Sequence, residues 1–298
     1  MAALQMNPRD FGVLSDLGEY GFLDTPMIHA LRFRGVTMRR CRQKLAQYLE
    51  HDLIVLCPPL VTYSRTGHAE KVPHIYALSE RGAELVESHF GLPVKRILRS
   101  KPKPETIMHR LELTRLRIAF DGAFRRSELT VPEWILEQDC RDDLPDNVPP
   151  NQRSMLFHRF QQDGKIYSCR PDAVCRFALP IGASDDMVPL VFYWEIDRST
   201  EGHKQIRKQK ISGHTELIKQ QSWVRYWPDL IGATARILYT TRSEERSEKL
   251  ATTYRPTSVS RFVRFGELHC VTAAKALLQP IWLDCEGQRR RIWNGRTP

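Results

Sequence analysis

Two apolar, alternating runs near the middle of the chain carry acids at their ends, and this pairing most limits what the polypeptide can fold into. Lys165 to Phe177 contains Arg170-Pro171-Asp172-Ala173, and Val188 to Trp194 runs into Glu195-Ile196-Asp197. A short segment, Gly182 to Asp186, joins the runs, so they are expected to pair as a hairpin. Glu195 and Asp197 flank Ile196, which puts both carboxylates on one face of a strand. Pairing would then bring Asp172, Glu195 and Asp197 to one end of a sheet. Gathered carboxylates repel, and a divalent cation commonly offsets that repulsion. Oxygen-only donors suit Mg²⁺ or Mn²⁺. The simpler reading is three strand-end acids, each paired with a cation such as Arg170, Arg198 or Lys210.

The sequence around these runs reads helix, strand, strand, strand, helix, strand. Thr106 to Phe124 is the first helix, with Leu111, Leu116, Ile118 and Phe120 at helical spacing. Trp134 to Gln138 is a strand, and Arg141 to Arg153 is a loop rich in Pro, Asp and Asn. Gly202 to about Trp223 is amphipathic and helical, Ala235 to Thr240 is a buried strand, and Ser243 opens a further helix. Lys210, on the helix after Glu195, is placed to reach back toward a phosphate, with Lys204 and Lys208 as competitors. Glu112 is a further carboxylate on the first helix, for which a surface position beside Arg110 or Arg115 is the simpler reading. His109, His158, His203 and His214 show no metal-ligand spacing and read as structural or surface residues.

The first hundred residues have a different pattern. Arg9 to Tyr20 is a helix, Thr25 caps a short helix from Met27 to Phe33, and Thr37 caps a third that runs to about Glu50. Asp52 to Cys57 and His74 to Leu78 read as strands around a polar, basic stretch, and Ser79 caps a helix from Glu80 to His89. Three helices and a two-stranded ribbon make a winged helix, a variant of the helix-turn-helix. Its recognition helix would present Arg39, Arg40, Arg42, Lys44 and Gln47 to duplex DNA, and its wing Arg65, His68 and Lys71. A solvated basic face is the alternative.

Between the two patterns lies a junction. Lys95, Arg96, Arg99, Lys101 and Lys103 are interspersed there with Pro93, Pro102 and Pro104, and no acid falls among these basic residues. The expected domains are therefore 1–91, a linker 92–104, and 105–298. The fold class is α+β or α/β, with a winged helix-turn-helix followed by a mixed α/β domain.

Composition supports a polyanionic partner. The 298 residues carry a net charge of +10, and double-stranded DNA is the expected ligand. No aromatic-rich platform for single-stranded RNA stands out. The seven cysteines are scattered without a C-x-x-C pair, which argues against a disulfide framework or a zinc site and for a reducing cytoplasm. Mean hydropathy is −0.43, no apolar run approaches the roughly 20 residues that span a bilayer, and no signal peptide is seen. A soluble protein without membrane contact is expected.

Several segments together resemble the replication-relaxation family of mobile-element proteins and, more distantly, the PD-(D/E)XK nuclease superfamily. In the first half they are Arg9-Asp10 through Leu17, Arg42-x-x-Leu45-x-x-Tyr48-Leu49 and Tyr76-Ala77-Leu78-Ser79-x-x-Gly82. In the second half they are His109-x-Leu111, Arg170-Pro171-Asp172-Ala173, Glu195 to Thr200 and Arg236 to Thr241. The resemblance covers about Arg9 to Leu283. It implies a DNA-binding protein of plasmid or mobile-element biology on a nuclease-like fold, and a metal-dependent endonuclease in which Asp172 and Glu195 hold Mg²⁺ or Mn²⁺. Asp197 stands where the superfamily places a lysine, so it would complete the metal shell or position water, and Lys210 is the candidate substitute for that lysine. The alternative is a non-catalytic regulator or recruitment factor on a degenerate nuclease fold. A mobile-element or plasmid-encoded protein partner and a homodimer are further expectations.

Overall fold

The computed structural model describes residues 5–63, 69–94, 96–98, 102–141, 143–145, 147–149, 152–162, 164–180, 186–198 and 210–294. Seven α-helices and mixed sheets among them make an α+β fold. The chain forms two compact units that meet at Arg115 and Leu116.

In the first unit, α1 (Pro8–Tyr20) starts from a capping box in which the Asn7 side chain accepts from the Asp10 N–H and Asp10 accepts from the Asn7 N–H. β1 (Leu23–Asp24) leads into α2 (Thr25–Arg32). The cap of α2 is Asp24, whose carboxylate accepts from the Met27 N–H at 2.8 Å, and Thr25 is already helical. This corrects the expected cap by one residue, because an aspartate accepts a capping hydrogen bond as well as a threonine does. Thr37 caps α3 (Met38–Glu50) as expected.

β2 (Ile54–Leu56), β3 (Val61–Tyr63), β4 (Ala69–Lys71) and β5 (Ile75–Leu78) follow, and then α4 (Glu80–Phe90), capped by Ser79. β5 lies between β1 and β2 in an antiparallel sheet, and β3 pairs with β4. Arg65 and His68 lie outside the described residues. Val13, Leu14, Leu17, Leu45, Tyr48 and Leu78 are buried in the core of this unit.

α5 (Pro104–Arg126) contains the boundary. The first half of this helix belongs to the first unit because Ile107 and Leu111 are buried with Phe22, Cys57, Leu60 and Ile75. The division therefore falls beyond the basic junction at 92–104.

The second unit is built on a seven-stranded sheet. Its strands are β6 (Glu133–Leu136), β9 (Ala173–Pro180), β10 (Met187–Ile196), β11 (Thr234–Thr241), β12 (Val263–Glu267), β13 (Trp282–Leu283) and β14 (Arg289–Arg290). The spatial order is β14-β13-β12-β11-β10-β9-β6. β10, β11 and β12 are parallel, and the other neighbours are antiparallel. Parallel neighbours need a crossover, and these crossovers contain α6 (Ile211–Lys219) and α7 (Glu244–Tyr254).

The expected hairpin is present, with Ala173 opposite Trp194 and Phe177 opposite Leu190. The run Lys165 to Phe177 is not one strand, however. β8 (Lys165–Cys169) pairs with β7 (His158–Gln162) in a separate ribbon, and Arg170-Pro171-Asp172 separates it from β9. Pro171 has no N–H to offer a ladder, which makes it a natural break.

Alternation along β10 assigns its two faces. Val191 and Tyr193 pack into the core that holds Leu217 of α6 and Leu250 and Tyr254 of α7. Phe192 and Trp194 pack against Phe120 of α5 on the other face, Phe192 tilted and Trp194 edge-to-face.

Candidate functional site

The C-terminal ends of β6 and β10 and the N-terminal end of β9 coincide. Leu136 is opposite Ala173, which is opposite Trp194. Glu137 follows β6, Asp172 precedes β9, and Glu195 is the penultimate residue of β10. The Glu137 N–H donates to the Asp172 carbonyl at 2.9 Å, and the Asp172 N–H donates to the Trp194 carbonyl at 3.0 Å. The Asp172 carboxylate accepts from the Ile196 N–H at 2.6 Å, which fixes one of its oxygens. Carboxylate oxygens of Asp172 and Glu137 lie within 4.8 Å of each other, and both residues are half-buried.

Glu195 is buried and held by two groups from the α6 segment. Lys210 Nζ donates to Oε2 at 2.8 Å, and His214 Nε2 lies 3.0 Å from Oε1. Burial alone would raise the Glu195 carboxyl, but the Lys210 ammonium and His214 outweigh it and hold the group down at about 2. The chain of contacts continues inward. His214 Nδ1 is 2.8 Å from the Tyr254 hydroxyl, which is 2.8 Å from the Tyr239 hydroxyl. A carboxylate only accepts, so His214 donates to Glu195 through Nε2.

Asp197 has a different environment. Its carboxylate meets the Arg246 guanidinium of α7 side-on, at 2.5 Å from Nε and 3.2 Å from Nη2. Its N–H donates to the Thr240 carbonyl at 2.8 Å.

The structure thus joins Glu195 to Lys210 and Asp197 to Arg246, which is the arrangement the simpler reading of cation-paired strand-end acids expects, with Lys210 among the cations it named and Arg246 not. Among the described residues, Asp172, Glu195 and Asp197 do not form a set with ligand oxygens all within 4.8 Å of one another. Lys204, Lys208 and His203 lie outside the described residues. His214 is a site residue that spacing did not reveal, because a lone histidine on a helix carries no motif. Glu137 escaped because its proximity to Asp172 depends on the β6–β9 register. Glu112 is buried in the first unit, so the surface reading is corrected: its helix turns that face inward, beside buried Leu111 and Leu113.

Three ligand-type groups also meet at the end of β12, where Glu267, His269 and Cys270 lie within 4.8 Å of one another. The cysteine pattern gave no sign of this group, since Cys270 has no partner cysteine nearby in sequence.

On α3, Arg39, Arg40, Arg42 and Gln47 are exposed. Lys44 is turned inward, with Nζ 3.1 Å from Oδ2 of buried Asp10. The Tyr48 hydroxyl donates to the other Asp10 oxygen at 2.6 Å. Lys71 is in β4.

A family model described as replication-relaxation matches residues 14–227. The chain belongs to the replication-relaxation family. The match runs through both units and includes Asp172, Glu195, Asp197 and Lys210. This family links the chain to plasmid and mobile-element replication and to DNA processing. No curated protein and no solved structure matches the chain. Among the described residues no helix is long and apolar enough to cross a membrane.

Proposed function

We propose that this protein binds duplex DNA during plasmid or mobile-element replication and cuts it with a divalent metal at the acidic end of the second unit's sheet. The observation that carries the reading is the meeting of the Asp172 and Glu137 carboxylates, within 4.8 Å of each other, at the sheet end where Lys210 returns to Glu195. A nuclease-like site needs a cation beside its acids, and Asp197 occupies the position two residues after Glu195. The order α5, β6, β9, β10, α6, β11 supports the same reading.

The donors fit a small hard cation. Mg²⁺ binds through one or two carboxylates and keeps several waters, and Asp172 with Glu137 offers such a pair at an accessible edge. Asp172 and Glu137 are therefore assigned the metal. A bound Mg²⁺ or Mn²⁺ would supply an acidified water and neutralise charge on a phosphodiester. Glu195 is assigned to holding Lys210, whose side chain is partly exposed. His214 fixes the other oxygen of Glu195, so the lysine cannot be displaced by rotation of the carboxylate. Asp197 orients Arg246. In the first unit the α3 arginines and Gln47 are the DNA-contacting face, and Lys44 supports the fold through Asp10.

Manganese calorimetry tests the assignment. One site in the wild type should be lost in Asp172→Asn, weakened in Glu137→Gln and kept in Asp197→Asn. A site that survives Asp172→Asn contradicts it.

The second reading, a DNA-binding recruitment factor on an inactive scaffold, draws on the neutralisation of Glu195 and Asp197 by protein cations. It predicts no manganese site in any of these proteins, together with undiminished DNA binding.

A further inference from the structure

The face of the sheet turned away from Glu195 carries a cavity that the proposed function does not use. Its volume is about 200 Å³. Phe192, Trp282 and other largely apolar side chains form part of its wall, and Arg236, Arg264, Arg290 and Arg291 also line it. All four arginines lie beyond the residues matched by the family model.

The arginines are an anomaly of pattern. Ile237, Val263 and Phe265 point into the apolar core on the opposite face. Alternation then places Arg236 and Arg264 on the cavity face of two central strands, where apolar side chains are the usual occupants. Arg236 is opposite Phe192, and Arg264 is opposite Leu238. Both are half-buried.

Their guanidiniums donate to backbone carbonyls, Arg236 to Ala235 at 3.3 Å and Arg264 to Val263 at 2.7 Å. Among the described residues only Arg290 of the four has an ion pair, with Asp284 at 2.8 Å. Burial, then the charges of Arg264 and Arg261, lowers the pKa of Arg236. Burial also lowers that of Arg264, with Asp284 opposing and Arg290 adding to the fall. Four cations around one small cavity with one paired carboxylate is an arrangement that an entering anion would relieve.

We propose that this cavity binds a phosphate group, with Arg236 and Arg264 forming its inner wall and Arg290 and Arg291 its exposed rim. Planar guanidiniums match phosphate oxygens bidentately, and the apolar wall limits water. The phosphate has two possible sources, the 5′ end of a DNA strand or a free nucleotide. The cavity lies on the face opposite Glu195, so its occupant is a different phosphate from one attacked at the acidic edge.

Calorimetry on the full chain tests this with inorganic phosphate, pyrophosphate, dAMP and a short oligonucleotide bearing a 5′-phosphate or a 5′-hydroxyl. Saturable phosphate binding is expected, weakened at least tenfold in Arg236→Gln and in Arg264→Gln and unchanged in Lys249→Gln on the exposed face of α7. A preference for the 5′-phosphorylated strand over its hydroxyl twin assigns a strand end. Equal binding of the two strands, alongside tight dAMP binding, assigns a free nucleotide. Phosphate should also raise the thermal midpoint of the wild type and not of the two arginine variants. These variants lose like-charge repulsion, so their own midpoints should not fall. Should either fail to fold, Arg291→Gln at the rim gives the same reading with a smaller loss. Absence of saturable binding with every probe, or binding indifferent to all three arginine variants, overturns the proposal.

Discussion

Asp10 shows how one residue can explain a sequence motif. It closes the cap of α1, receives the Tyr48 hydroxyl and holds Lys44, all while fully buried. A buried carboxylate needs every one of these partners. Tyr48→Phe removes one and should cost about 1–2 kcal/mol in urea unfolding. A change below a few tenths would show that the contact is idle.

His158 gives a pH-dependent prediction. Burial, then the charge of Arg225, pushes its pKa down to about 4, and its Nε2 lies 2.7 Å from the Tyr226 hydroxyl. The unfolded chain takes up the proton near pH 6.5 and the folded protein only near 4, so the unfolded state binds more protons between those values. Stability is therefore complete above about 6.5 and is lost as the pH falls toward 4, by roughly 3 kcal/mol. His158→Gln should flatten the profile in that window, whereas an unchanged slope would place the titration elsewhere.

At the scale of elements, two glycines set how helices seat on their neighbours. A Cβ on Gly82 would come within 2.1 Å of the Leu53 carbonyl oxygen, and one on Gly213 within 2.6 Å of the Cys169 Cβ. The first obstacle is backbone and cannot yield. Gly82→Ala should destabilise the first unit by about 3 kcal/mol, measured by chemical unfolding. Gly213→Ala should lift α6 from β8 and displace His214 and Lys210 from Glu195. The outcome is a loss of DNA cleavage larger than any loss of DNA affinity.

The capped helices were legible because caps and helical spacing are local, and the β9–β10 pair was legible because its alternation is regular. β7 and β12 were not. His-Arg-Phe-Gln-Gln and Val-Arg-Phe-Gly-Glu carry too few apolar residues to read as strands, and the sheet or ribbon around them supplies what they lack. The break at Pro171 was hidden because Cys169 and Ala173 on either side both read as strand. At the candidate site, Asp172, Glu195, Asp197 and Lys210 were named from short motifs, their order and the resemblance, and Asp197 is paired with Arg246. Glu137, His214 and Arg246 join them only through strand register and helix packing.

For the whole molecule, the charge of +10 makes salt the lever on DNA affinity. Each phosphate contact contributes about 0.9 to the slope of log K against log salt. Replacing Arg39, Arg40 and Arg42 together with alanine should reduce that slope by about 2–3 and weaken binding to all sequences. An unchanged slope would move the interface off α3.

The central claim is that the acidic edge of the second unit is a working metal site, and cleavage tests it most directly. Supercoiled plasmid would be incubated with the full chain and Mn²⁺ or Mg²⁺, beside Asp172→Asn and Lys210→Met. The account predicts metal-dependent nicked or linear product from the wild type, none from Asp172→Asn and a severe reduction with Lys210→Met, while all three proteins still retard DNA in a gel. No product from the wild type with either metal, or equal product from Asp172→Asn, would contradict it.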